Sequence, residues 1–113
     1  MDQKYLTPAV VRMLQEFLKD PDHTFYATEL MEASRVSSGS FYPGITRLQR
    51  AGWVISEDED IDPRAEGRPA RVFYRMTGEG ARAAHLALVE LSNSVRPPAS
   101  SPGWLFGPEP KGI

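Results

Sequence analysis

Arg47 and Arg50 stand three residues apart, with Thr46 beside them and Gly39, Ser40 and Tyr42 just upstream. Together these residue types suit one kind of chemistry. A guanidinium donates paired hydrogen bonds to a guanine edge or to phosphate oxygens, and hydroxyls donate or accept at base edges. A phenol bonds phosphate or stacks on sugar, and a glycine admits close backbone approach. Arg35 to Trp53 holds three arginines and no acid, so this charge has no local partner. A second basic stretch, Pro63 to Arg75, sets Arg64, Arg68, Arg71 and Arg75 against Glu66 alone.

Other chemistries find little support. The chain has no cysteine, which excludes disulfides, thiolate catalysis and zinc–thiolate sites. His23 and His85 lack metal-ligand spacing. No Ser-His-acid set, paired-carboxylate arrangement or glycine-rich nucleotide loop stands out. No enzyme activity, metal or cofactor is therefore expected. The net charge of −2 argues against nonspecific coating of nucleic acid. The acids gather at Asp20–Asp22, Glu29–Glu32 and Glu57–Asp62, however, which leaves room for a locally basic face. No run approaches about 18 apolar residues, and Met1-Asp2-Gln3-Lys4 lacks the apolar stretch of a signal peptide. A cytoplasmic protein without a membrane partner is expected. With 113 residues, one domain and a tail are expected; so small a core gains from pairing with a second copy.

The elements that must position the arginines follow from pattern. Thr7-Pro8 opens a helix, with Thr as N-cap and Pro in the first position. Val10, Val11, Leu14, Phe17 and Leu18 then recur at helical spacing until Asp20-Pro21-Asp22. His23-Thr24-Phe25 suits a small extended strand, and Ala27–Ala33 a short second helix with Leu30 and Met31 inward. Val36 fills the angle before a third helix over 38–51. There Phe41, Ile45 and Leu48 form the core face, opposite Gly39, Pro43, Thr46 and Arg50. Pro43 conflicts with a helix interior. The conflict eases if Ser40 is the N-cap, and the start stays open between Ser37 and Ser40. Gly52 fits the left-handed position after the helix. Trp53–Glu57 and Arg71–Met76 predict two strands of a hairpin whose polar tip is 58–70. Thr77 caps a last helix over 78–92, with Ala81, Ala84, Leu88 and Leu91 on one stripe and Leu86 and Val89 on another side. Two apolar sides imply two packing partners.

Helix–helix–helix–hairpin–helix predicts an α+β, mostly helical, winged helix-turn-helix. The order Ser37-Ser38-Gly39-Ser40-Phe41-Tyr42-Pro43, then Arg47-Leu48 and Gly52, then Gly67-Arg68-Pro69, Tyr74-Arg75, Thr77 and Gly80 resembles the PadR family of bacterial transcriptional regulators. The resemblance spans roughly Leu6–Leu91. Phe25-Tyr26-Ala27 stands where that family has Gly-Tyr, and the segment after the hairpin is short, as in the family's small subgroup. The resemblance implies a homodimer paired through the first and last helices, with Leu6, Val10, Leu14, Ala84, Leu88 and Leu91 at the interface. It implies double-stranded DNA as partner and repression from a pseudo-palindromic operator. Relatives released from DNA by small aromatic compounds raise such an effector here, in an inter-subunit pocket lined by residues such as Tyr5, Leu14 and Leu88.

On this reading the helix at 38–51 presents Ser38, Gly39, Ser40, Tyr42, Pro43, Thr46, Arg47 and Arg50 to DNA. The wing adds Arg64, Arg68 and Arg71. Tyr42 has an alternative as packing at the helix–wing junction, and Arg47 and Arg50 as solvated charges. Tyr74 and Arg75 are assigned to pairing within the hairpin, and Glu57–Asp62 to a solvated loop pointing away from DNA. The DNA-binding domain is placed at 1–92 and a flexible proline-rich tail at 93–113. In that tail Trp104-Leu105-Phe106 is either disordered or docked. The alternative function is a winged-helix protein-interaction module without specific DNA binding.

Overall fold

A computed structural model describes residues 1–95 of the protein. Helix α1 (Pro8–Lys19) begins as its sequence dictates: the Thr7 hydroxyl accepts the Val10 N–H at 3.2 Å. Its apolar side buries Val10, Met13, Leu14 and Phe17. Ahead of it, a 3-10 turn at Gln3–Tyr5 leads Leu6 into the core. Strand β1 (Phe25–Tyr26) runs directly into α2 (Ala27–Ser34), where the Glu29 carboxylate accepts the Tyr26 N–H at 3.3 Å. Leu30 and Val36 are buried on either side of the turn. Arg35 makes that turn in the left-handed region, φ 57°, and Arg12 Nε donates to the Ser34 carbonyl at 3.0 Å, tying α1 to it.

Helix α3 (Ser38–Arg50) starts at Ser37, not Ser40, so Pro43 lies in its interior. The missing donor leaves the Gly39 carbonyl without its helical partner. Both residues lie on the exposed side of the helix. Phe41, Ile45 and Leu48 are buried as the pattern requires. Gly44 is buried with them because α1 presses close: a Cβ there would stand 2.8 Å from Met13 Cε and 3.1 Å from Val10 Cγ2. Gly52 turns the chain with φ 78° into β2 (Val54–Asp58).

The next segment holds a single helical turn, α4 (Pro63–Glu66), capped by Asp62 and closed by Gly67 at φ 67°. Strand β3 (Val72–Met76) returns antiparallel to β2, with Val54 opposite Met76 and Asp58 opposite Val72. Strand β1 pairs on the other edge of β3, Phe25 opposite Tyr74, giving the order β1-β3-β2. The hairpin is thus anchored to the start of α2 through a third strand.

Helix α5 (Gly78–Ser94) is capped by Thr77, whose Oγ1 accepts the Gly80 N–H at 2.8 Å and donates to the Gly52 carbonyl at 2.9 Å. It runs two residues past the expected end at 92. It packs on α1 through Ala84, with Ala81, Leu88 and Leu91 half-buried against the core. The rest of the expected tail, including Trp104-Leu105-Phe106, lies outside the described residues. Among the described residues, no helix is long and apolar enough to cross a membrane.

Four residues expected at a subunit interface are core residues of the single chain. Leu6, Val10, Leu14 and Ala84 are buried where α1, α3 and α5 meet, so they present no surface to a partner. The apolar side chains that α5 does expose are Leu86 and Val89, 57% and 43% accessible.

Candidate nucleic-acid interface

The outer surface of α3 carries the polar residues that its sequence pattern placed there. Ser38, Gly39, Ser40, Tyr42, Pro43, Thr46, Arg47 and Arg50 are all exposed, Tyr42 by 49%. The Ser37 side chain does not cap the helix, so the amino end of α3 is not closed by its own N-cap residue. Unbonded first-turn N–H groups at a helix start favour an anion. Among the described residues, the guanidinium groups of Arg47, Arg50 and Arg64 have no hydrogen-bond or ion-pair partner. The Arg47 guanidinium carbon lies 4.5 Å from the centre of the Tyr5 ring. A depression between the starts of α1 and α3 is lined by Thr7, Pro8, Arg12, Gly39, Ser40, Pro43 and Arg47.

A second cleft joins this helix to the hairpin. Tyr42 at the start of α3, Ala27 and Thr28 at the start of α2, and Arg71, Val72 and Tyr74 around β3 line it together with Tyr26. The Tyr26 ring stacks on Phe73 at 4.2 Å, and the Arg71 guanidinium carbon lies 5.0 Å from the Tyr26 ring centre. Tyr42 and Arg71 thereby flank one opening, though 29 residues separate them in the chain. Thr28 is an addition. Nothing in its local sequence marks it, because its place in the lining comes from the β1 pairing that sets α2 beside the hairpin. Tyr74 is buried, and burial pushes its hydroxyl above the usual phenol range, with Tyr42 adding to the effect.

In the wing, two of the acids hold arginines. Arg68 grips Glu59 with two parallel hydrogen bonds, Nη1 to Oε1 at 2.7 Å and Nη2 to Oε2 at 3.0 Å. The Arg71 N–H donates to the same carboxylate at 3.1 Å, and the Glu59 N–H donates to the Arg71 carbonyl at 2.7 Å. These bonds, the Arg68 pair foremost and the Arg71 N–H next, lower the Glu59 carboxyl to about 2. The same pairing raises Arg68 further. Arg75 Nε donates to Glu57 Oε1 at 2.7 Å, the hairpin pairing expected of Arg75. The run Glu57–Asp62 is thus not simply a solvated loop: two of its members hold arginines. Arg68 clasps the wing, while Arg64 and Arg71 carry the wing charges not held by an acid. The expected pocket of Tyr5, Leu14 and Leu88 is not built as such, since Leu14 is fully buried and Tyr5 lies against Arg47.

No family model matches the sequence, and no curated protein matches it. Solved structures do match the fold. The transcriptional regulator PA4135 superposes with a TM-score of 0.61 at 19% identity, over 80% of this chain and 61% of that one. NadR in complex with 4-hydroxyphenylacetate gives 0.59 at 22%, over 81% and 63%. The heme sensor PefR from Streptococcus agalactiae, in complex with heme, gives 0.61 at 15%, over 92% and 70%. A MarR family regulator from Silicibacter pomeroyi DSS-3 matches with a TM-score of 0.54. The fold is a winged helix-turn-helix. Helices α2 and α3 are the two helices of the helix-turn-helix, and the β2–β3 hairpin is the wing. The chain spans about three-fifths of the length of the first two of these regulators.

Proposed function

We propose that the chain is a sequence-specific DNA-binding transcriptional regulator of the PadR type, a cytoplasmic homodimer that represses from a pseudo-palindromic operator. One observation carries this reading. The exposed side of α3 is free of acids and offers Arg47 and Arg50 with no hydrogen-bond or ion-pair partner among the described residues. Ser38, Gly39 and Ser40 enter the major groove, Thr46 and the two arginines read or flank base edges, and Tyr42 and Arg71 hold the adjacent phosphates. Arg64 reaches the backbone from the wing tip, and Arg68 keeps the wing in shape. The DNA-binding domain, expected at 1–92, takes in the whole of α5 to Ser94. Pairing uses Leu86 and Val89 on α5, placing two α3 helices on half-sites about one turn, ~34–36 Å, apart. A small aromatic effector belongs to the same proposal; NadR was solved with 4-hydroxyphenylacetate.

In vitro selection from random duplexes tests the reading. Wild-type protein should enrich a two-fold-related sequence and bind it with an affinity that falls steeply with salt. Arg47→Ala should lose that preference while keeping its fold.

A second reading is a protein-interaction module. It is favoured by Arg68 and Arg75, both committed to internal pairs, and by the net charge of −2. It predicts no enriched sequence and no salt-dependent retention on DNA.

A further inference from the structure

The 3-10 turn ahead of α1 has no place in a minimal helix-turn-helix, yet it is well built. The Asp2 carboxylate accepts the Lys4 N–H at 3.4 Å, the Tyr5 N–H bonds the Asp2 carbonyl at 3.0 Å, and the Leu6 N–H bonds the Gln3 carbonyl at 2.9 Å. Leu6 is buried in the core, and Thr7 is the cap of α1. Tyr5 is therefore fixed from both sides. Its ring is placed against the guanidinium of Arg47, at 4.5 Å from ring centre to guanidinium carbon. Lys4 Nζ lies 5.1 Å from the same ring centre, and Tyr5, Arg47, Arg50 and Asp2 line one depression with Met1 and Ala51.

Two features of this arrangement bear on recognition. An arginine on a helix surface ordinarily samples several rotamers, and ordering it costs affinity when it binds. A ring attracts the cation without using any of its N–H donors, which stay free for a bidentate acceptor. An acid in the same place would order Arg47 too, but would occupy those donors. The turn also places Lys4 and Arg47 against one ring, with Arg50 lining the same depression; among the described residues the one acid lining it, Asp2, is engaged with the Lys4 backbone.

We infer that Tyr5 is a specificity-determining positioning residue: its ring pre-orders Arg47 for a base edge, so the segment before α1 takes part in reading sequence. The inference rests on the DNA-binding reading above. Its test uses the full chain and the duplex selected by the wild type, compared with duplexes changed one base pair at a time. Tyr5→Ala should reduce discrimination at the Arg47 position by about two- to fivefold, the scale of an exposed cation–π contact. Other positions should change little, and Tyr5→Phe, which keeps the ring, should restore discrimination. In an Arg47→Ala background, Tyr5→Ala should change discrimination no further. A purely structural role would lower the unfolding midpoint without this base-pair dependence. Selective wild-type binding with unchanged discrimination in Tyr5→Ala overturns the inference and leaves the DNA-binding reading standing. A wild type that selects no sequence overturns both.

Discussion

Gly80 is where the last helix meets the root of the wing, and replacing it should be costly in a way that can be worked out. A Cβ built there stands 2.2 Å from the Trp53 carbonyl oxygen, 2.5 Å from its Cα and 2.7 Å from its carbonyl carbon. Ordinary contact begins near 3.4 Å, so the helix and the wing root must part by at least about 1 Å. The obstruction is backbone, so no rotamer change relieves it. The Thr77 N–H to Trp53 carbonyl bond, 2.9 Å, spans the same junction and stretches with it. Overpacking of this kind costs about 1–3 kcal/mol, and the strained hydrogen bond about 1 kcal/mol. Alanine returns about 1 kcal/mol through helix propensity. Gly80→Ala should therefore lose about 1–3 kcal/mol, lowering the unfolding midpoint by roughly 4–24 °C in a domain this size. Thermal and urea unfolding measure it. Gly39→Ala is the control, since its Cβ would meet only Ser37 Oγ at 3.9 Å, and it should match or slightly exceed the wild type. A Gly80→Ala protein within about 0.5 kcal/mol of wild type would refute the packing of α5 on the wing root described here.

Arg47→Ala and Arg50→Ala should each cost about 1–3 kcal/mol of base discrimination wherever the side chain reads a base; Arg64→Ala should weaken all duplexes alike and lower the salt slope by about one. Fluorescence anisotropy over a salt series separates the two behaviours, and identical behaviour in all three variants would remove α3 from the reading role. The Glu59 carboxyl is held at about 2 against an ordinary 4.5, so its clasp contributes fully above 4.5 and is lost as pH falls through about 2. Protection of wing amides, measured by hydrogen exchange relative to the intrinsic rate at each pH, should fall across that interval in the wild type and lose that pH dependence in Glu59→Gln; parallel profiles would rule out the clasp as cause. Leu86→Glu with Val89→Glu should leave the monomer folded, because both side chains are exposed in it, and should weaken pairing by at least about 100-fold, the scale of losing two buried apolar side chains. Sedimentation of a double variant that is still dimeric would move the interface elsewhere.

Residues with local causes were legible in the sequence. Thr7-Pro8 and Thr77 act through hydroxyls that reach N–H groups only three residues on, so their capping roles follow from spacing. The Phe41–Ile45–Leu48 stripe follows from the helical period. Pro43 left the start of α3 open between Ser37 and Ser40, because the rule against interior proline concerns the carbonyl of the residue four before. That residue is a glycine on the exposed side of the helix here, and the objection weakens. The apolar residues assigned to a dimer interface show a different limit. Periodicity says that Val10, Leu14 and Ala84 face something apolar, but not whether that is the same chain. Only the packing of α5 on α1 decides it, leaving Leu86 and Val89 outward.

Charge was the least legible property, for a reason that shapes the candidate site. A run such as Glu57–Asp62 beside Arg64–Arg75 looks in sequence like separate acidic and basic blocks. The hairpin register folds one block onto the other, so Glu57 finds Arg75 across the strands and, beyond their ends, Glu59 finds Arg68. These pairs neutralise about half of the wing's arginines and convert them from binding groups to braces. Among the described residues no acid pairs with Arg47 or Arg50, and the acids of the hairpin's strands lie on β2, which pairs with β3. The same topology that removes charge from the wing therefore leaves it on α3. Discrimination should reside there, in Arg47 and Arg50, while the wing contributes through Arg64, Arg71 and shape.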